Sequence, residues 1–151
     1  SKSWSKKGEQ FINETKNKCI LGKKYSLCMS INVDKNINYI LKENSIKGKD
    51  FNTFIKTIKN KKPILMDNAK IHHSKLFKNT IKENNINVIY NIPYFSKYNP
   101  IEYIFSLLRK EIENNNCNSE REIMNTIENF KKNLKKETIQ NIFLKTYEML
   151  N

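Results

Sequence analysis

Apolar residues recur along this chain with two different periods, and the change from one to the other divides it. Tyr25-Ser-Leu-Cys-Met-Ser-Ile-Asn-Val33 alternates loosely between apolar and polar and is rich in β-formers, which predicts a strand. Asp34-Lys-Asn supplies the turn, and Ile37 to Leu41 return as the hairpin partner. Phe51, Phe54, Ile55 and Ile58 then fall at helical spacing, so a short amphipathic helix is expected from about Asp50 to Asn60, with Pro63 ending it. Ile64-Leu65-Met66 reads as a short buried strand. Ser74 to Asn84 reads as a helix with Leu76, Phe77 and Ile81 inward, and Ile86 to Ile92 as a second strand. Pro93 to Pro100 form a loop, and Pro100 suits the first turn of a helix burying Ile101, Ile104, Phe105, Leu108 and Ile112. Asn114 to Asn118 break that helix. Ser119 with Glu122 fits a capping box, and two further helices run to about Leu134 and from Glu137 to Leu150.

An antiparallel pair, then strands alternating with helices, then a helical tail describe an α/β sandwich around a mixed sheet. The β-α-β unit over residues 64–92 favours parallel neighbours, and in such sheets ligands collect at the carboxyl ends of the strands. Asp67 follows the apolar run Ile64-Leu65-Met66 and therefore falls at such an end. At 151 residues and 18.0 kDa the chain is of single-domain size and long enough to bury one core. There are no internal repeats.

The net charge of +13 and a pI near 9.6 make phosphate-bearing partners plausible. The same excess also follows from Lys- and Asn-rich codon usage, since only Arg109 and Arg121 represent arginine. Cys19, Cys28 and Cys117 are odd in number and lack paired spacing, which argues against a zinc site or a disulfide framework and for reduced thiols inside the cell. No window approaches the ~18 consecutive apolar residues of a membrane span, and no signal peptide opens the chain, so no membrane partner is expected. The opening SKSWSKKG reads as the middle of a loop.

Two carboxylates carry the candidate chemistry. Asp67 closes the strand in PILMDNAKIHHS, Glu102 sits in the first turn of the helix in NPIEYIFSLLRK, and residues 68–101, 34 positions, lie between them. Two acids held by a strand tip and a helix face can share divalent metal, and hard oxygen donors suit Mg²⁺ or Mn²⁺. Taken singly, each acid also has a purely structural reading, Asp67 as a turn cap and Glu102 as a favourable charge at a helix N-terminus.

WSKKG, DNAKIHHS and PYFSKYNPIEYIFSLLRK together resemble, in order and spacing, the catalytic domain of mariner-superfamily transposases and their bacterial insertion-sequence relatives. The resemblance runs from Trp4 to about Leu150. It implies an RNase H-like fold and a triad of acids that holds a two-metal site (Mg²⁺ or Mn²⁺), cuts DNA at element ends and joins the freed 3′-hydroxyl to a target. By position Asp67 matches the second acid and Glu102 the third. The family's first acid lies on the central strand, upstream of the loop that WSKKG resembles. The expectation is therefore an RNase H-like mixed sheet flanked by helices, with C-terminal helices and with that first, central strand missing. Residues 1–151 then form one partial catalytic domain without the N-terminal helix-turn-helix region, and whether the chain is itself an active enzyme is left open. Asp34 is the one early acid near a strand end, but it reads as a solvent-facing turn residue rather than a replacement ligand; Asp50 is weaker still.

Supporting roles follow from the resemblance. His72 orients Asp67 or touches a phosphate, or else is a helix-start histidine. Trp4 with Lys6 and Lys7 stacks on or clamps DNA, or else Trp4 anchors the core. Tyr94, Ser96 and Asn99 shape the loop presenting Glu102, and Asn68 and Asn99 read as turn formers. The lysines Lys131, Lys132, Lys135 and Lys136 read as a solvated face. The function implied is DNA transposition and integration, truncated and inactive as it stands, with DNA as partner, a homodimer in the full-length protein, and a location in the nucleus or, in a prokaryote, the cytoplasm and nucleoid. The alternative is a degenerate or co-opted nucleic-acid-binding module of the same fold.

Overall fold

Tyr25–Ile31 (β2) and Ile37–Glu43 (β3) pair antiparallel over their whole length, from Tyr25 against Glu43 to Ile31 against Ile37. The turn between them is organised by Asn32, whose Oδ1 accepts the backbone N–H groups of Asp34 at 2.9 Å and Asn36 at 3.0 Å. An asparagine side chain that imitates a backbone acceptor in this way lets the chain reverse without losing hydrogen bonds. These relationships come from a computed structural model, which describes residues 9–12, 23–58, 63–66, 73–90 and 100–150.

The remaining elements follow the sequence pattern closely. Gly48–Thr57 (α1), Ile64–Met66 (β4), Lys75–Glu83 (α2) and Val88–Tyr90 (β5) make up the β-α-β region with its preceding helix. Pro100–Asn114 (α3), Glu120–Asn133 (α4) and Lys136–Leu150 (α5) form the helical tail. Ser74 caps α2 by accepting the N–H of Phe77 at 3.1 Å. Ser119 caps α4 by accepting the N–H of Glu122 at 3.2 Å, while Glu122 reaches back to the N–H of Asn118 rather than to that of the cap itself. Two expectations shift. The helix after the hairpin stops at Thr57, because Ile58 is already extended. Leu76, expected inward on α2, is 51% exposed, and Thr80 takes the buried place beside Phe77 instead.

Five strands form one sheet in the order β3-β2-β1-β4-β5, where β1 is Glu9–Ile12. β1 runs antiparallel to β2 and parallel to β4, and β4 runs parallel to β5. The expected gap at the centre of the sheet is therefore not there: the short stretch after the polar opening fills it. Four residues reading Glu-Gln-Phe-Ile present no apolar run, so periodicity does not mark them. Two unpaired strand edges facing each other nonetheless draw a segment of extended chain between them, since every backbone N–H and C=O there needs a partner.

Helices cover both faces of this sheet. Leu27, Met29 and Ile31 of β2 pack on one side against α3, α4 and α5. On the other side Cys28 of β2 with Ile64 and Met66 of β4 pack against α1 and α2. Because β2 is covered from both sides, its whole length is buried, which is why its sequence alternates only loosely. Tyr39 on β3 ties the sheet to α4, its hydroxyl 3.1 Å from Glu128 while Lys131 lies over its ring. Burial and the neighbouring Glu128 push that hydroxyl's pKa up to about 12. No helix among the described residues is long and apolar enough to cross a membrane.

Candidate active site

Of the two elements expected to carry the acids, the structure describes β4 up to Met66 and the first turn of α3. Ile64 and Met66 are both buried in the α1/α2 core, which fixes which face of the strand each position takes. Pro100 opens α3, and its ring presets the backbone angle a helix needs where no intrahelical N–H bond is due. Ile101, Ile104, Phe105, Leu108 and Ile112 then lock the helix onto the opposite core. That packing determines the rotation of α3 and leaves Glu102 half-buried and Tyr103 59% exposed on the same turn. Ser106 Oγ donates to the carbonyl of Glu102 at 3.0 Å, and the Arg109 side chain lies over the ring of Phe105. A carboxylate in the first turn is favoured by the partial positive charge of the helix N-terminus.

Of the residues singled out from the sequence, Glu102 is described. Asp67, Asn68 and His72, and likewise Lys6, Lys7, Tyr94 and Asn99, lie outside the described residues. His73 is exposed at the approach to α2. Asp34 sits in the β2–β3 turn with its carboxylate 3.5 Å from Lys136. Because β1 is antiparallel to β2 and parallel to β4, that turn lies at the sheet end where β4 starts, not where it finishes. Topology thus removes Asp34 as a stand-in ligand. Asp50 is committed to the start of α1, where it binds Lys42 and the backbone of Lys47.

The register of β1 bears on the first acid. Glu9 pairs with Ile64 and Gln10 with Leu65 in parallel register. On its other edge, Gln10 pairs with Ile31 and Ile12 with Met29, two residues of the α3-side core. The one carboxylate of β1, Glu9, is level with the start of β4. Among the described residues no three His, Cys, Asp or Glu side chains are grouped to hold a metal. Cys28 and Cys117 are both buried and free, and burial raises the Cys28 thiol far above its usual value.

Glu102 was legible from its place after Asn-Pro. The outward position of Tyr103 follows from the spacing of Ile101, Ile104, Phe105 and Leu108, which puts residue 103 on the opposite side of the helix.

Comparison with known proteins adds family and fold. Residues 1–124 match the family described as DDE superfamily endonuclease. No curated protein matches the sequence. Among solved structures, the catalytic domain of the Mos1 mariner transposase is similar with a TM-score of 0.71 at 16% identity, over 93% of this chain and 74% of that one. The same catalytic domain solved with Raltegravir and Mg matches with a TM-score of 0.74 at 16% identity, over 93% of this chain and 76% of that one. In the Mos1 strand transfer complex the TM-score is 0.72 at 17% identity, and this chain covers 43% of that transposase chain. The likeness establishes the RNase H-like fold of that catalytic domain.

Proposed function

The chain belongs to the DDE superfamily endonucleases, and from that premise we propose that it is the catalytic domain of a mariner-like DNA transposase in which Asp67 and Glu102 hold divalent metal. One observation carries the reading. Ile64 and Met66 are buried in the α1/α2 core, Asp67 follows Met66 directly in sequence, and Glu102 is half-buried in the first turn of the helix packed on the opposite side of the sheet; strand alternation carried one residue further would bring both acids to one face.

The donor chemistry fits Mg²⁺ or Mn²⁺, since both groups are hard carboxylate oxygens and Glu102 is half-buried on a helix anchored by its neighbours. When bound, such cations activate an attacking oxygen and steady a leaving oxygen at a phosphodiester. Glu102 contributes a charge fixed in place by the packing of α3, and Asp67 one carried directly after a strand anchored by Ile64 and Met66. Mos1 structures have been solved with Mg, with Mn and in a strand transfer complex, which supports divalent metal and DNA as the cofactor and partner here. Work on DNA is consistent with a location in the nucleus or, in a prokaryote, the cytoplasm and nucleoid.

The register of β1, whose one carboxylate, Glu9, is level with the start of β4 rather than its end, favours a second reading beside this one. With two acids and not three, this stretch of chain binds metal weakly and gives little or no strand transfer, and a non-catalytic nucleic-acid-binding module of the same fold becomes the alternative. The test is nicking and joining of labelled DNA with Mn²⁺, run on the chain and on Glu102→Ala. Cleavage that disappears in the variant supports the catalytic reading. DNA binding without cleavage in either protein supports the module, and cleavage that survives in Glu102→Ala removes Glu102 from the site.

A further inference from the structure

We infer that Tyr103 is a stacking platform for an unpaired base of DNA beside Glu102, an inference that rests on the proposed function. The five buried residues of α3 fix its rotation, so Tyr103 has no place in the core, and it is 59% exposed on the very turn that carries Glu102. An aromatic ring held out to solvent costs hydration without gaining packing, and a base offers the flat apolar partner that recovers it.

The surroundings favour a polyanion over an apolar partner. Tyr103, Leu107, Lys110 and Asn114 follow one another along the outward stripe at helical spacing, with Leu107 half-buried and the others exposed. Lys110 lies two turns from Tyr103, about 10.5 Å along the axis, and the positive end of the helix lies at Tyr103. Of the acids beside the stripe, Glu111 and Glu113 lie towards its far end, Glu111 next to Lys110, and Glu102 beside Tyr103 is the proposed metal ligand, whose charge a bound cation would offset. A strand whose phosphodiester sits at Glu102 runs naturally over Tyr103 and then past Lys110. Because every base has a π-face, the contact is tolerant of sequence.

The experiment is fluorescence titration of a short single-stranded oligonucleotide containing 2-aminopurine, with the chain, Tyr103→Ala, Tyr103→Trp and Lys110→Ala, across a salt series. The expected result is a loss of affinity in Tyr103→Ala of roughly five- to 150-fold, the range set by one stacked base. The salt slope stays unchanged in that variant, and binding with 2-aminopurine quenching returns in Tyr103→Trp. Lys110→Ala lowers the salt slope by about 0.7, the contribution of one phosphate contact on a single strand. Wild-type affinity and quenching in Tyr103→Ala overturn the inference while leaving the transposase reading in place. Failure of the unaltered chain to bind the oligonucleotide overturns both. Melting temperatures of the variants verify the fold, and at so exposed a position they should match the parent.

Discussion

Lys42, near the end of β3, places its Nζ 2.6 Å from Oδ2 of Asp50 in the first turn of α1, and the same oxygen accepts the backbone N–H of Lys47 at 2.9 Å. One carboxylate thereby joins the sheet's edge strand to the helix that covers it. The hydrogen bond from Lys42 above all, and then that from the Lys47 backbone N–H, hold the Asp50 carboxyl below its ordinary value of 3.8. A group whose folded pKa is depressed stabilises the fold above its unfolded value and loses that contribution as pH falls through the folded one. Asp50→Asn should therefore be less stable than the parent at pH 7, by about 1 kcal/mol if the loss is that of a helix cap. The difference should close as both are titrated below pH 4. Urea unfolding at the two pH values checks it; a difference that persists in acid would mean that Asp50 acts through packing.

Metal should couple to stability through the two acids. A ligand that binds only the folded state raises its stability in proportion to the logarithm of its concentration over Kd. Millimolar Mn²⁺ should raise the Tm of the chain, and Asp67→Asn and Glu102→Gln should each remove most of that rise. EDTA should return the parent to the variants' Tm. An equal rise in all three proteins would place the metal elsewhere.

Leu108 anchors the middle of α3 at 1% exposure. Its truncation to alanine removes buried methyl groups and leaves a cavity, so Leu108→Ala should cost about 2–5 kcal/mol in denaturant unfolding. Because α3 carries Glu102, the same variant should also weaken Mn²⁺ binding, whereas an alanine at the exposed Lys110 should change neither.

What could be read before any coordinates divides along physical lines. α3 was legible because five apolar positions, a proline at the start and an Asn-rich stretch at the end all point to one helix. β4 was legible from three apolar residues after a proline. β1 was not, because Glu9-Gln10-Phe11-Ile12 takes its strand conformation from β2 and β4 on either side rather than from its own propensity. Leu76 misled for a related reason: apolar character marks a candidate for burial, but α2 faces its core through Phe77 and Thr80, and single exposed leucines are ordinary.

Cys28 offers a probe of the whole fold. It lies on β2 in the core between the sheet and α1, fully buried, and that burial holds its thiol far above the ordinary range. Only the thiolate is nucleophilic, so the native protein should leave Cys28 unmodified by iodoacetamide at pH 8. Peptide mapping after labelling through a urea series should show Cys28 becoming modified in step with the loss of helical signal. Labelling well below that transition would mean that β2 and α1 part before the rest unfolds, and would place the weak point of the fold at the hairpin rather than in the helical tail.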